Sequence, residues 1–222
     1  MINSTVGLLP DGTVGVDLTI PLNPISAKQY LNKGYGFVVR YVGRGDGSKH
    51  FIDLTEEEGQ AIVDAGLGLS VVQHPLAEGW SPTGALGQNF GAAAANLAGA
   101  AGLPTGITLW LDLEGVAAST QAQDVIDYCN EWYDEVSSVG FAPGIYIGSN
   151  PGLSADQLYW DLPMKSYWRG GSNVESGVPA DIPHRGYQLK QRIAGSTASK
   201  FDSDVTCADN FGGKVIWCMS AS

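Results

Sequence analysis

Ile107-Thr-Leu-Trp-Leu-Asp-Leu-Glu-Gly115 is an apolar run that ends in two carboxylates one residue apart. Its start reads as a buried strand. A strand alternates its faces with period two, so Trp110, Asp112 and Glu114 share one face and Leu109, Leu111 and Leu113 the other. Charges avoid apolar interiors unless they are paired or have a task. Two acids at the end of such a strand therefore mark a candidate site, and paired carboxylates are the usual tools of glycoside cleavage.

Outward from this run, short strand-like segments alternate with helices. Strands are expected at residues 14–18, 37–42, 67–74, 107–114 and 144–148. The helices between them carry start and stop signals. Ser26-Ala-Lys-Gln29, Thr55-Glu-Glu-Glu58, Thr120-Gln-Ala-Gln123 and Ser154-Ala-Asp-Gln157 each have the spacing of a capping box. Gly34, Gly66 and Gly140 close the first three. The helix opened at Thr120 is read as the longest, with Val125, Cys129, Trp132, Val136 and Val139 forming one apolar stripe. Residues 92–101, rich in Gly and Ala, read as a packed helix. After Trp160 the pattern loosens: residues 166–170, 186–191 and 201–205 read as strands without clear helices between them. The alternation predicts an α/β fold with a parallel sheet. About eight strands, with five helices in the first part, would close an irregular TIM-like barrel. An open doubly wound sheet lacks a GxGxxG motif to support it. Residues 1–222 read as a single domain.

Composition narrows the function. The formal net charge is -11, with 12 Lys and Arg against 23 Asp and Glu. No basic stripe is visible, so nucleic acid is not expected as a partner. No apolar run reaches the length of a membrane span. No export leader is apparent, so action on a cell wall would follow release, as for a phage lysin, or export by another route. The 3 cysteines, Cys129, Cys207 and Cys218, show no CxxC spacing. Cys129 reads as core, a Cys207–Cys218 pairing stays open, and neither a metal nor a cofactor is expected.

In a parallel barrel, chemistry sits at the C-terminal strand ends, and acids recur there. Asp17 ends Val-Gly-Val-Asp and shares a face with Gly15, whose missing side chain would leave interior room. Asp202 and Asp204 share a face near the last strand, which closure would bring beside the first. Arg40, inside Val-Val-Arg-Tyr-Val, is positioned to hold one of these acids ionised. His74 ends the third strand. Trp168, Tyr146 and Trp80 are the expected cleft-wall aromatics, whereas Trp110 should fill the barrel beneath Asp112.

Val-Gly-Val-Asp-Leu, Leu-Asp-Leu-Glu, Pro143-Gly-Ile-Tyr-Ile-Gly148 and Tyr167-Trp-Arg together resemble the glycoside hydrolase family 25 lysozymes. Phe37-Val-Val-Arg-Tyr-Val42 and Phe201-Asp-Ser-Asp-Val205 bring the chain closer to a related glycoside-hydrolase-like family, domain of unknown function 1906. The resemblance runs from about residue 13 to about residue 210. It implies a barrel in which Glu114 is the general acid, Asp112 its charge-stabilising or substrate-orienting neighbour, and Asp17 and Asp202 supporting acids. Asp204 stands where the lysozyme pattern usually has Asn, and it could replace Asp202. Arg40, Tyr146, Trp168, His74 and Asp204 would line the substrate. The implied activity is hydrolysis of a β-1,4 bond in peptidoglycan by a monomer. Glu114 would be protonated at rest and Asp112 ionised. Two alternatives are a glycan-binding barrel without turnover and a metal-dependent phosphodiesterase built on the acid cluster.

Overall fold

The computed structural model describes residues 1–47, 53–171, 184–192 and 202–221. In chain order the elements are β1 (Ser4–Leu8), β2 (Val14–Leu18), α1 (Pro24–Asn32), β3 (Phe37–Val42), α2 (Glu56–Asp64), β4 (Gly68–Gln73), α3 (Gly84–Ala100), β5 (Thr108–Leu113), α4 (Ala122–Ser138), β6 (Ala142–Ile147), α5 (Ala155–Trp160), β7 (Ser166–Arg169), β8 (Leu189–Arg192), β9 (Asp202–Thr206) and β10 (Ile216–Ser220). Strands β2 to β9 close into an eight-stranded barrel with the five helices outside it. Pairings from β2 round to β8 are parallel. β9 runs antiparallel to both β8 and β2 and completes the ring.

The sequence reading did not include β1 and β10. They form an antiparallel ribbon, and β10 also pairs with β4 at Cys218 and Leu69. Its function is a plug. Trp217 is fully buried and its ring lies 4.4 Å from that of Phe37 at the lower end of the barrel. Above them Val39, Val72, Trp110, Trp168 and Leu189 form one interior cluster. Leu109, Leu111 and Leu113 belong instead to the cluster between strands and helices. The period-two alternation of β5 is therefore obeyed. Gly15 does not leave a void: a Cβ there would lie 2.3 Å from the Phe37 ring. The missing side chain is replaced by an aromatic floor.

Helix starts differ in part from expectation. Asn23, not Ser26, caps α1; its Oδ1 accepts from Ser26 N at 2.9 Å, and Ser26 Oγ accepts from Asn23 N at 2.9 Å. Pro24 takes the first helical position, where its absent N–H costs nothing. The box at Ser154 does open α5, whereas at Thr55 only half of it forms: Thr55 caps α2 by accepting from Glu58 N, and the Glu58 carboxylate does not return to it. α4 starts at Ala122 with no side-chain cap, and α3, at 17 residues, is as long as α4. The glycines of α3 have a packing cause. A Cβ on Gly87 or Gly91 would meet Tyr128 O at 2.1 Å or Trp132 O at 2.8 Å, so the two helix backbones touch. All three cysteines are free.

Arg40 lies on the outer side of β3, away from the barrel interior. Phe37, Val39 and Tyr41 face inward, so Val38, Arg40 and Val42 face the helices. The buried guanidinium donates from Nε to Glu58 Oε1 at 2.6 Å, from Nη2 to Glu58 Oε2 at 3.1 Å, and from Nη1 to Leu18 O at 2.5 Å. Leu22 N also donates to Glu58 Oε1 at 2.8 Å. This corrects the expectation that Arg40 serves substrate or the acids: it ties β2, β3 and α2 together. A Glu58→Ala variant strands a buried cation, so it should lose about 3–5 kcal/mol, or about 6–20 °C of Tm. Pairing Arg40→Met with Glu58→Leu should recover most of the loss. A fall of less than about 2 °C in thermal denaturation of Glu58→Ala would show that the pair contributes little.

Candidate active site

The upper interior of the barrel is filled by polar side chains, unlike its aromatic floor. Antiparallel register puts Asp17 of β2 directly opposite Asp202 of β9, and Gly15 opposite Asp204. Asp202 stands exposed at the rim, whereas Asp204 is fully buried. The Asp17 and Asp204 carboxyls lie within hydrogen-bonding reach of each other. Asp17 Oδ1 accepts from Tyr41 Oη at 3.0 Å, and its Oδ2 accepts from Gln191 Nε2 at 3.0 Å. Asp204 Oδ1 accepts from Trp168 Nε1 at 2.9 Å. Its Oδ2 is buried with no donor beside it; since two carboxyls in contact cannot both ionise and burial raises Asp204 strongly, a proton on Asp204 directed at Asp17 is the arrangement that satisfies both.

Across the barrel, Asp112 lies beside Tyr146 in the β5–β6 register. Tyr146 Oη donates to Gln191 Oε1 at 3.1 Å, and Gly171 N donates to the same oxygen at 2.8 Å. Gln191 therefore connects the two sides. Asp112 Oδ1 is buried without a partner. Glu114 follows β5 and its backbone is clamped on both sides: Trp80 Nε1 donates to Glu114 O at 2.7 Å, and Gly148 N donates to Leu113 O at 3.1 Å. Gly148 is needed there, because a Cβ on it would sit 2.3 Å from Glu114 Oε2.

Asp17, Asp112, Glu114, Tyr146 and Asp204 converge in the upper barrel, with Asp202 at its edge. Trp168 is only 1% exposed, between Trp110 and Tyr146, and supports Asp204 rather than presenting a sugar-stacking face. His74 stacks on Tyr41 at 4.8 Å, with Nε2 3.3 Å from Asp53 Oδ1, and so backs Tyr41. Trp80 is half-buried against Tyr128 and fixes the Glu114 backbone. Tyr41 and Gln191 were missed. Tyr41 was legible from the alternation of β3, which the eye-catching Arg40 obscured. Gln191 carried no signal beyond its position two residues after Leu189. Among the described residues, no group of three or more His, Cys, Asp or Glu is arranged to hold a metal ion.

The Rv2525c-like, glycoside hydrolase-like domain matches residues 28–209. The chain belongs to that family. The matched stretch includes Asp112, Glu114, Asp202 and Asp204 and begins after Asp17. Among solved structures, the Tat-secreted protein Rv2525c of Mycobacterium tuberculosis is 16% identical, with a TM-score of 0.63 over 90% of this chain and 98% of that one. A family 25 glycosyl hydrolase from Bacillus anthracis is 12% identical, with a TM-score of 0.59 over 90% of this chain and 91% of that one. The catalytic domain of endolysin ply40, from bacteriophage P40 of Listeria monocytogenes, is 21% identical, with a TM-score of 0.58 over 88% and 93% of the two chains. At these identities the likeness is one of fold. No curated protein matches the chain. The glycoside-hydrolase-like barrel read from the sequence is thus the barrel of this family. No described helix is long and apolar enough to cross a membrane.

The electrostatics of this Rv2525c-like site follow from burial without counter-charge. Among the described residues, no ion pair joins its acids to Lys or Arg. Burial raises Asp17 to about 6, offset in part by the Gln191 bond. Burial and the neighbouring Glu114 and Asp17 charges raise Asp112 well above the usual carboxylate range. Glu114 is raised by burial and then by Asp17, Asp202 and Glu78. Asp204 is raised strongly by burial and by Asp17. For Asp112 this weighs against the expected ionised form: burial and like-charged neighbours favour its neutral form, and Asp17, to which Tyr41 and Gln191 donate, is the acid best able to carry charge.

These acids hold protons more tightly in the fold, so their stabilisation is full below about pH 4 and is lost as pH rises through the folded values, about 6 for Asp17. His74, lowered to about 4 by burial and the Arg44 and Arg40 charges, works in the opposite sense and loses its contribution as pH falls toward 4. Asp204→Asn keeps an acceptor for Trp168 and donates to Asp17 with no proton to lose. Its Tm at pH 7.5 should exceed the parent's by about 2–6 °C, while at pH 4 the two should agree. Equal melting temperatures at pH 7.5 would contradict the shared-proton arrangement.

Proposed function

We propose that this chain is a glycosidase that cleaves β-1,4 bonds in the glycan strands of peptidoglycan, acting on the wall after release or export. The observation that carries this reading is Glu114. It is a half-buried carboxyl with a raised proton affinity, at the C-terminal mouth of the barrel, next to a second carboxyl whose Oδ1 has no protein partner. That pairing suits a proton donor and a substrate-orienting neighbour. The Tat-secreted relative and the phage endolysin sharing the fold support an extracellular substrate.

In this mechanism the Glu114 proton passes to the glycosidic oxygen as the bond to C1 breaks. Asp112 accepts the N–H of the sugar's N-acetyl group and so aims the acetamido oxygen at C1. That oxygen closes on C1 as the leaving group departs, and the Asp17 carboxylate offsets the positive charge that develops. Water then adds at C1, the acetamido group is released, and a water proton returns to Glu114. The products are two shorter glycans, one with a new reducing end. Tyr146 lines the sugar subsite and is held in place by Gln191.

Purified peptidoglycan tests this directly through turbidity loss and reducing-end release. Glu114→Gln should lose about 100-fold to 10,000-fold in rate, the range for removing a general acid, with Tm unchanged or raised. A variant as active as the parent would remove Glu114 from the chemistry. A parent that sediments with the wall and releases no reducing ends would replace cleavage with glycan binding.

A further inference from the structure

Arg169, Lys190 and Arg192 meet on the outer face of the barrel, opposite the acids. Trp168, Leu189, Gln191 and Asp204 point inward, so Arg169, Lys190, Arg192 and Val205 point outward. The β7–β8 register sets Arg169 beside Lys190, and Val205 of β9 pairs with Lys190 from the other side. Together with Gly170 and Gln191 these residues line a cavity of about 240 Å³.

Three features make this a site rather than a scatter of surface charge. In a chain of 12 cations against 23 acids, three cations line one cavity, and among the described residues no carboxylate lines it. None of the three forms an ion pair among the described residues. Arg169 Nε is buried and lacks a hydrogen-bond partner, an arrangement that costs free energy until an acceptor arrives. A guanidinium fork beside an ammonium matches the oxygens of a carboxylate or phosphate.

We propose that this pocket binds an anionic group of the wall polymer, a carboxylate or a phosphate, and holds the polymer across the rim of the barrel. The inference rests on the reading that the substrate is peptidoglycan. Without such a contact, a chain of net charge -11 with an acid-lined mouth repels an anionic polymer. The pocket also connects to the mouth. Gln191 shares its backbone with Lys190 and Arg192 while its amide bonds to Asp17 and Tyr146. Gly170, the other rim residue, approaches so closely that a Cβ on it would lie 2.8 Å from Tyr146 Oη. The three cations are positioning residues, since they touch no reacting atom.

Calorimetric titration of the whole chain with inorganic phosphate and with citrate, at low ionic strength, reads the pocket without turnover. Saturable binding is expected, and at least tenfold weaker binding in Arg169→Gln/Lys190→Gln. Lys190→Gln/Arg192→Gln, which changes only exposed side chains, serves if the first variant melts early. Co-sedimentation with wall sacculi follows, in a Glu114→Gln background, using sacculi stripped of phosphate polymers by hydrofluoric acid or of stem peptides by an amidase. A variant-sensitive contact that disappears with the phosphate polymers assigns a phosphate; one that disappears with the peptides assigns a carboxylate. In the active chain the same variants should raise KM with kcat unchanged. The proposal is overturned if neither ion binds the parent, if variants bind both ions as the parent does, or if ions bind while sacculus binding and KM ignore the variants. Those outcomes leave cleavage standing. Ion and sacculus binding without reducing-end release would instead defeat cleavage and keep the pocket.

Discussion

The contact between the Asp17 and Asp204 carboxyls lies across the seam where the barrel closes. β9 runs against its neighbours, and only with that direction and register does Gly15 come opposite Asp204 and Asp17 opposite Asp202. Two carboxyls in contact inside a protein cannot both ionise. The proton on Asp204 fixes Asp17 as an acceptor, and Tyr41 and Gln191 then orient toward it. Gln191 in turn accepts from Tyr146, which stands beside Asp112. The hydrogen-bonded chain therefore runs from the seam to Tyr146, and the Asp112–Glu114 pair lies beside its far end without a side-chain bond to it.

Beneath this layer the barrel is dry and aromatic. Phe37, Trp110, Trp168 and Trp217 exclude water from below, and that exclusion is what raises the acids above them. Trp110 and Trp168 spend their indole N–H groups on Ser70 and Asp204, so the floor leaves no indole donor unpaired beneath the site. The β1–β10 ribbon matters for the same reason. By inserting Trp217 from below, a segment remote from the mouth in sequence sets the dielectric in which the carboxyls titrate.

Periodicity made the barrel legible, along with the inward face of β5 and the approach of Asp17 to the late acids. These depend on local pattern or on closure of a ring of strands. The errors have physical causes. Arg40 was drawn into the site because an internal charge invites a partner acid, and the partner it has is Glu58 on the helical layer. The Thr55–Glu58 spacing that reads as a capping box had already committed that glutamate to the wrong partner. Asp112 was expected to stay ionised because two neighbouring acids usually divide their roles. Its burial and its missing donor weigh against that, and neither is encoded in a dipeptide spacing. The β1–β10 ribbon was invisible because β1 is polar on one side and exposed.

An acid cluster buried without counter-ions is a cost to stability. Its arrangement favours one use over another. A barrel that only gripped sugars would gain most from ionised, solvated carboxylates, which are strong acceptors for hydroxyl groups. Here burial raises the proton affinity of Asp112, Asp204 and Glu114, and within the barrel Asp17, to which Tyr41 and Gln191 donate, is the acid best placed to hold charge. That pattern separates a donor from an acceptor within one small volume, which is what proton transfer requires. The cost of the arrangement is in the carboxyl layer, while the stabilising aromatic floor and the Arg40–Glu58 pair lie outside it. Chemistry and stability are thus assigned to different faces of the same strands, so Asp112 and Glu114 can be tuned by their surroundings without loosening the barrel that carries them.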